Sequence, residues 1–559
     1  MRKVALTLVA LMSTVLMACT TIPSSGPVNS TDRIAGLESA EVDFLPPGPS
    51  TGATPEEIIA GFVAAGTAAQ DNYRVARSYL AQEVRELWNP NASVLIRQGE
   101  PEITVTSSTV ASYVLPVVAS VDELGRYSTS PVVSSQTLDF RLVEEGDEWR
   151  ISGLSDGIVL TEAAFAEAFA SYRLYFFSAG YRELVPDIRW FATRGEVSSK
   201  IVRGLLDSPS FWLDQGATVS AFPEGTQLAL TPIAVVDGVA SVDLTTRVLS
   251  ADEITRSRMV TQLTASLAQV QGISSARISV NQNELVSESV GEDAPSLASG
   301  RDSRTLVLRD RRFGYIQGGL VDEIEGLSGE VASLIPDNIF YSSEYSRAVA
   351  TRAEGLWSIE AGTEPVIIDA RADLVRGIID NCGFVWSSTA ESSPGMAQII
   401  APGGEIFPLE LDIGAGASLV SFELARDDTR LVMLVQTETG ARVLLSAITR
   451  NEDCRPLTLG EFVELGPVAG RGVDAAWIDD SRIAVVVADT ATGQGEVVVF
   501  DVSGQSTSLG RPAQPVTLVG GVGGISGLRL LAGDGLIYQA RGNGWQATGE
   551  RAGVLVTQR

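Results

Sequence analysis

Cys19 is the residue whose position most directly indicates a chemical role, namely covalent modification of its thiol. It ends the stretch LMAC, which follows a short basic start and an apolar segment from Val4 to Val15. This order is typical of a signal peptide, and the apolar core is too short for a stable membrane span. Leu16 and Ala18 fit the bacterial lipobox, which predicts cleavage between Ala18 and Cys19 and lipidation of the Cys19 thiol. The alternative is an ordinary signal peptide that contains a cysteine.

Two pairs of adjacent aspartates could carry out acid–base chemistry: Asp427–Asp428 and Asp479–Asp480. A glycoside hydrolase needs two carboxyl groups at a set separation. Both pairs, however, directly precede a repeated turn phrase, where aspartate commonly accepts turn hydrogen bonds. We therefore expect a structural role for these pairs, with catalysis as the alternative.

The composition removes several other kinds of active site. The chain has no histidine, which excludes Ser-His-Asp and Cys-His catalysis and zinc bound through histidine. Ser155 lies in GLSDG, which resembles a nucleophile elbow but lacks an activating base. Lys200 has Val197 where a Ser-Lys pair needs its serine. The loop GGVGGISG at 520–527 has Ser526 in place of the last glycine of a phosphate loop and no Walker lysine. We predict no catalytic residue, no metal site and no cofactor.

Cys382 and Cys454 are the cysteines that remain after Cys19. Outside the cytoplasm they could form a disulfide, which in the chain-entropy model would stabilise the fold by roughly 4 kcal/mol. The alternative is two buried free thiols.

Charge and length limit the partners and the architecture. A chain of 559 residues is too long for one core, so several domains are expected. Its net charge of −28 disfavours nucleic acid and anionic membrane surfaces. Attachment to a membrane must therefore come from lipid.

Changes of composition and of residue pattern divide the chain into six segments. Thr54, Pro55 and Glu57 form a capping box that starts the first helix. Two helices followed by strands resemble an NTF2-like α+β cone. The predicted segments are a signal peptide at 1–18, a lipidated tether at 19–53, an NTF2-like domain at 54–160, a second α+β domain at 161–285, a linker at 286–302 and an all-β domain at 303–559.

The second α+β domain contains three local signals. A helix is predicted to start near Thr161, with three aromatic residues on one face: Phe165, Phe169 and Tyr172. Asp237-Gly238 between two alternating runs predicts a type I′ hairpin. Ser250 and Glu253 predict a capping box for a further helix.

The last 257 residues are almost purely β in pattern and contain a recurring phrase. Its copies are SRTLV at 303, SRAVA at 346, TRLVM at 429 and SRIAV at 481. The spacing fits a β-propeller of five to seven blades, with six phases visible. Four tryptophans are expected in blade cores rather than on a sugar-binding surface: Trp357, Trp386, Trp477 and Trp545. The alternative fold is a pair of β-sandwiches.

The segment LVPDIRWF…IVRGLLDSPSFWL…FPEGTQLAL…VVDGVASVDL…QLTASLAQVQGISSARISV resembles a GerMN domain. It departs from that pattern at LLDSPS, where a Gly-Pro pair is expected, and at RWFATR, which lacks a proline. With the lipobox, tether and predicted propeller, the whole order resembles the LpqB family of actinobacterial lipoproteins.

The resemblance implies a function that the residues alone do not. LpqB-type proteins are thought to sit outside the cytoplasmic membrane and to act as non-enzymatic accessories of a sensor histidine kinase. They modulate a two-component pathway that governs cell-wall metabolism and division. The alternative function is a cell-wall glycan-binding protein or a histidine-free carboxylate glycoside hydrolase that acts through the propeller face.

Overall fold

The computed structural model describes residues 46–68, 70–286, 302–390 and 395–559. The predicted signal peptide, its cleavage site at Ala18 and Cys19, and most of the tether and linker lie outside these ranges. Among the residues described, no helix combines the length and the apolar character needed to cross a bilayer.

The first module packs helices against one sheet of six strands. Its helices are α1 (Pro55–Ala65), α2 (Gln70–Ser78) and α3 (Gln82–Arg85). Its strands are β1 (Ser93–Arg97), β2 (Glu102–Ser107), β3 (Val110–Asp122), β4 (Tyr127–Glu145), β5 (Glu148–Gly153) and β6 (Ile158–Thr161). The sheet order is β5-β4-β3-β1-β6, with β2 also on β3. Every second residue of β3 is buried, as expected for a strand with one face on a core. The NTF2-like assignment is not confirmed and stays a prediction.

The predicted capping box at the start of α1 is confirmed. The Glu57 backbone N–H donates to Thr54 Oγ1 over 3.3 Å, and the Thr54 backbone N–H donates to the Glu57 carboxylate over 2.8 Å. These bonds fix the entry of α1, so that Ile58, Ile59 and Phe62 face the sheet and are buried.

Replacing Thr54 with alanine is expected to destabilise the first module by about 1 kcal/mol. The variant lacks the Thr54 hydroxyl that accepts a hydrogen bond from the Glu57 backbone N–H. Urea unfolding of the variant and of the parent protein measures the difference. Thr67→Ala, at an exposed threonine just beyond α1, is the control, and an equal loss in both variants would contradict the capping argument.

The middle module has two small sheets and three helices in the described chain. The helices are α4 (Glu162–Ala168), α5 (Val197–Leu206) and α6 (Glu253–Leu267). The strands are β7 (Phe169–Ser178), β8 (Leu184–Ala192), β9 (Thr218–Val219), β10 (Ala234–Val236), β11 (Val239–Asp243), β12 (Ser275–Val280) and β13 (Asn283–Glu284). The sheet orders are β8-β7-β9 and β10-β11-β12-β13. Asp237 and Gly238 both have positive φ between β10 and β11, which confirms the type I′ hairpin.

Two details of the sequence prediction for this module are wrong. The helix capped by Thr161 ends at Ala168, and Phe169 and Tyr172 lie in β7, because pairing with β8 takes over the chain there. The predicted capping box of α6 does not form. Ser250 belongs to a 3₁₀ helix and donates to the Arg247 carbonyl, while the side chain of Asp252 caps α6.

Six sheets follow one another after the linker. Their strands are β14 (Leu306–Arg309), β15 (Arg312–Gln317), β16 (Leu320–Glu323), β17 (Asn338–Ser342), β18 (Arg347–Arg352), β19 (Gly355–Glu360), β20 (Val366–Asp369), β21 (Leu374–Ile379), β22 (Val385–Thr389), β23 (Gly395–Ile400), β24 (Ile406–Leu411), β25 (Ser418–Leu424), β26 (Arg430–Thr437), β27 (Gly440–Arg450), β28 (Pro456–Leu459), β29 (Val463–Val468), β30 (Arg471–Trp477), β31 (Arg482–Ala488), β32 (Gly495–Asp501), β33 (Ser506–Ser508), β34 (Pro515–Val519), β35 (Arg529–Ala532), β36 (Leu536–Arg541), β37 (Gly544–Arg551), β38 (Val554–Leu555) and β39 (Thr557–Gln558). The helix α7 (Ser328–Leu334) lies between the first two sheets.

We number these sheets as blades 1 to 6, which begin at β14, β17, β21, β25, β30 and β34. The first strands of blades 2 to 6 contact one another in order. The ring closes because β38 pairs with β14 of blade 1 and also contacts β34 of blade 6. Six blades lie within the predicted five to seven, and the closed ring excludes the alternative of two sandwiches.

A candidate binding site between the middle module and the propeller

Side-chain bonds join the middle module to the propeller along β7. Arg173 donates to Asp480 over 3.1 Å and to Ser481 over 2.9 Å, and the Tyr175 hydroxyl donates to the other Asp480 oxygen over 3.0 Å. Burial and the neighbouring Asp480 carboxylate raise the pKa of Tyr175, so the phenol stays protonated and remains a donor. These bonds lie within the single compact unit formed by Pro46–Arg559.

Hydrogen bonds also join the middle module to the first module. Arg189 is fully buried, forms an ion pair with Asp187 over 2.6 Å and donates to the Leu124 carbonyl over 3.2 Å. Arg126 donates to Asp207 over 2.7 Å from the first module. The middle module is thus held on two sides.

A cavity of about 530 Å³ opens where the β7–β8 hairpin meets blades 2, 3 and 4. This volume lies in the range of small-molecule sites. We call it the hairpin cavity. It is lined by the hairpin tip (178–180, 182 and 183), by Ala217, by loops of blades 2 to 4 (342–344, 381–382, 426–429, 448 and 450–452 with 454) and by Arg559.

Buried charge pairs form the floor of the hairpin cavity. Asp428 accepts from the guanidinium of Arg559 and from the backbone N–H of Asn381. Burial raises the pKa of Asp428, and the Arg559 charge opposes that shift. Arg450 donates to Asp380 over 2.7 Å and to the Cys454 carbonyl over 2.8 Å. These bonds fix the blade 3 and blade 4 loops relative to each other.

A disulfide joins the same two loops at the cavity wall. Cys382 and Cys454 are bonded, with their Cα atoms 6.2 Å apart, and both side chains are half-buried. Arg182, at the hairpin tip, places Nη1 2.7 Å from Cys454 Sγ and 3.6 Å from Cys382 Sγ.

The paired aspartates are held in structural contacts. Asp427 accepts the Thr429 N–H over 2.9 Å and forms a buried ion pair with Arg430. Asp479 repeats this pattern with Ser481 and Arg482.

The second aspartate of each pair points to another part of the fold. Asp428 binds Arg559, and Asp480 binds Arg173 and Tyr175. Each of the four carboxylates therefore has an arginine partner.

A different ion pair joins the first strands of blades 3 and 5, and the sequence did not indicate it. Arg376 on the first strand of blade 3 donates to Asp474 on the first strand of blade 5. Asp474 also accepts from Ser421 of blade 4 over 2.7 Å and from the Leu518 N–H of blade 6 over 2.9 Å. One buried carboxylate thus connects four blades.

The other sequence candidates lie apart from the hairpin cavity. Ser155 is exposed in the turn after β5, and the glycines of 520–527 form a loop and a 3₁₀ turn between β34 and β35. Burial lowers the pKa of Lys200, whose Nζ donates to Asn91 over 3.2 Å. No cluster of potential metal ligands occurs within the described ranges.

The four tryptophans pack in the blades, as predicted. Trp386 and Trp477 are buried, with the guanidinium groups of Arg450 and Arg430 over their rings at 5.7 Å and 4.8 Å. Trp357 and Trp545 are half-buried against neighbouring blade cores.

Comparison with known proteins places this architecture in a family. A family model described as "Lipoprotein LpqB, N-terminal domain" matches residues 48–166, and "Lipoprotein LpqB beta-propeller domain" matches 315–554. Between them, "Sporulation and spore germination" matches 173–286. The chain belongs to the LpqB lipoprotein family. The GerMN-like and propeller predictions are thereby confirmed.

Relatives in this family align over most of their length. Lipoprotein LpqB of Cutibacterium acnes is 28% identical over 536 residues, covering 89% of this chain and 88% of its own. Lipoprotein LpqB of Thermobifida fusca is 24% identical over 584 residues, covering 90% of each. These names imply membrane anchoring for the family, and they do not name an enzyme.

Among solved structures, the first GerMN domain of GerM from Bacillus subtilis aligns at 17% identity and a TM-score of 0.19. That alignment covers 23% of this chain and 97% of that one. At this score it carries no argument, and the family assignment depends on the sequence matches.

Proposed function

We propose that this LpqB-family chain is a lipid-anchored, non-enzymatic accessory protein on the extracytoplasmic face of the cell membrane. It binds the extracellular domain of a sensor histidine kinase and modulates a two-component pathway of cell-wall metabolism and division. The lipobox ending at Cys19 and the lipoprotein relatives support the anchor. The kinase partner is carried over from the family resemblance.

The observation that best supports a binding function over a catalytic one is that the propeller carboxylates form ion pairs with arginines. Acid catalysis by a glycoside hydrolase needs one carboxyl group that can be protonated and a second that is free to act on the substrate. Here Asp427, Asp479 and Asp474 each bind an arginine, and Asp474 also accepts hydrogen bonds from blades 4 and 6. Such contacts stabilise the ring and occupy the oxygen atoms that catalysis would use.

The module contacts support a rigid rather than a jointed molecule. The bonds of Arg173 and Arg189 hold the middle module against both neighbours. We propose that the tether at 19–53 carries this rigid body, divided into the predicted domains 54–160, 161–285 and 303–559. A rigid body presents one fixed surface to a membrane partner, which lowers the entropic penalty of docking.

Affinity capture from detergent-solubilised membranes tests the proposal. Tagged wild-type protein and Cys19→Ala are compared, and the captured proteins are identified by mass spectrometry. Wild-type protein is expected to retain a sensor histidine kinase, and Cys19→Ala to retain less because it lacks the lipid that concentrates it at the membrane. Recovery of no membrane protein with either form would count against the proposal.

Incubation with purified peptidoglycan separates the alternative function from this one. Retention on the glycan, or release of soluble fragments, that is lost on changing Asp428 or Asp480 to asparagine would favour the glycan-directed alternative. Neither retention nor release is expected.

A further inference from the structure

The Cys382–Cys454 disulfide differs from a bridge enclosed in a core. Both cysteines are half-buried and line the hairpin cavity, which has room for a small molecule at about 530 Å³. The bond is therefore accessible from the cavity without opening a blade.

A cation lies beside one of the two sulfur atoms. Arg182 Nη1 is 2.7 Å from Cys454 Sγ and 3.6 Å from Cys382 Sγ. A neighbouring arginine lowers the pKa of a thiol by stabilising its thiolate. Because the Arg182 guanidinium stabilises a departing thiolate most strongly at the nearer sulfur, Cys454 leaves more readily than Cys382. The Glu452 carboxylate also lines the cavity, and its negative charge disfavours a thiolate at Cys454. Glu452 is exposed to solvent, which screens this effect.

We propose that the hairpin cavity is a thiol–disulfide exchange site whose substrate is a small thiol. The thiolate of the incoming molecule attacks Cys382 Sγ, and a mixed disulfide forms there. The Cys382–Cys454 bond breaks, and its electron pair leaves with Cys454 as a thiolate beside Arg182. A second thiolate attacks the mixed disulfide at the small-molecule sulfur, which yields the oxidised small molecule and the protein dithiol.

The two loops have other contacts that persist after reduction. Asp380 accepts the backbone N–H groups of Cys382 and Phe384 over 3.1 and 2.9 Å. Asn451 accepts the Arg455 N–H over 2.8 Å. The blades therefore stay folded when the bond opens, and the change is local to the contact between Arg182 and the propeller.

Reduced glutathione is the probe. The full-length protein is incubated with it, free thiols are blocked with N-ethylmaleimide at timed intervals, and peptide mass spectrometry reports which cysteine carries glutathione.

Adducts are expected on Cys382. Arg182→Gln is expected to slow adduct formation by about threefold or more, since the thiolate loses its stabilising charge. Arg182→Lys should restore most of the rate, and Arg277→Gln, at an exposed arginine of the middle module, should match wild type.

Three results would overturn the proposal. The first is an equal rate in Arg182→Gln and wild type when both have the same melting temperature. The second is glutathione mainly on Cys454. The third is no adduct until urea unfolds the protein, which would make the bridge structural alone.

Discussion

Cys19→Ala is expected to abolish lipid attachment completely. The thiol of Cys19 is the atom that a diacylglyceryl group would modify, and alanine offers no nucleophile there. The acyl chains of such a group would supply the membrane affinity, at about 0.8 kcal/mol for each buried methylene group. A chain of net charge −28 has no electrostatic attraction to an anionic bilayer to replace them.

Mass spectrometry of the N-terminal peptide is the direct measurement. Wild type should begin at Cys19 and carry a diacylglyceryl group, whereas Cys19→Ala should carry none. Mass spectrometry is preferred to membrane fractionation because a precursor that is not cleaved keeps its apolar signal segment. That segment could hold the variant at the membrane without any lipid. A Cys382→Ser, Cys454→Ser double variant should be lipidated like wild type. Lipid on Cys19→Ala, or a freely secreted wild-type chain without lipid, would refute the anchor.

Asp474→Ala is expected to lower the free energy of unfolding of the propeller by about 3–5 kcal/mol. The reason is that Arg376 would be left buried and without its carboxylate, and breaking a buried pair from one side is strongly destabilising. The Ser421 hydroxyl and the Leu518 N–H would lose their acceptor as well. Blades 3 to 6 are all affected, because the contacts of Asp474 connect them.

Urea unfolding followed by tryptophan fluorescence measures this loss, since Trp477 is buried in the same blade. Glu496→Ala, which removes an exposed pair with Arg511 in blade 5, is the matched control and should change stability by less than about 1 kcal/mol. Arg376→Met combined with Asp474→Leu should recover much of the loss, because an apolar pair leaves no buried charge. A loss below about 1 kcal/mol in Asp474→Ala would mean that the pair does not hold the ring together.

Local sequence signals predicted local structure well. The capping box at Thr54 and the Asp237-Gly238 hairpin depend on residues a few positions apart, and both form. The start of α4 at Thr161 was also correct, but its end was not. The spacing of Phe165, Phe169 and Tyr172 fits a helix, but Phe169 and Tyr172 pair with β8 and therefore lie in a strand. Propensity yields to tertiary contacts in such cases.

The hairpin cavity could not be predicted because its residues are distant in the chain. Arg182 and Cys454 are 272 positions apart, and Arg559 and Asp428 are 131 apart. The repeated phrase did indicate turns at Asp427 and Asp479, and the first aspartate of each pair has that role. The second aspartate of each pair binds a distant arginine, for which the phrase contains no signal.

The most direct test of the central claim is the activity of the kinase itself. The sensor histidine kinase captured from membranes is reconstituted in lipid vesicles with its extracellular domain outward, and autophosphorylation is measured with and without the lipidated protein on that face. The account predicts a change of rate that saturates as the protein is added and that is weaker with Cys19→Ala at equal concentration. An unchanged rate at saturating protein, or release of glycan fragments by the protein alone, would contradict it.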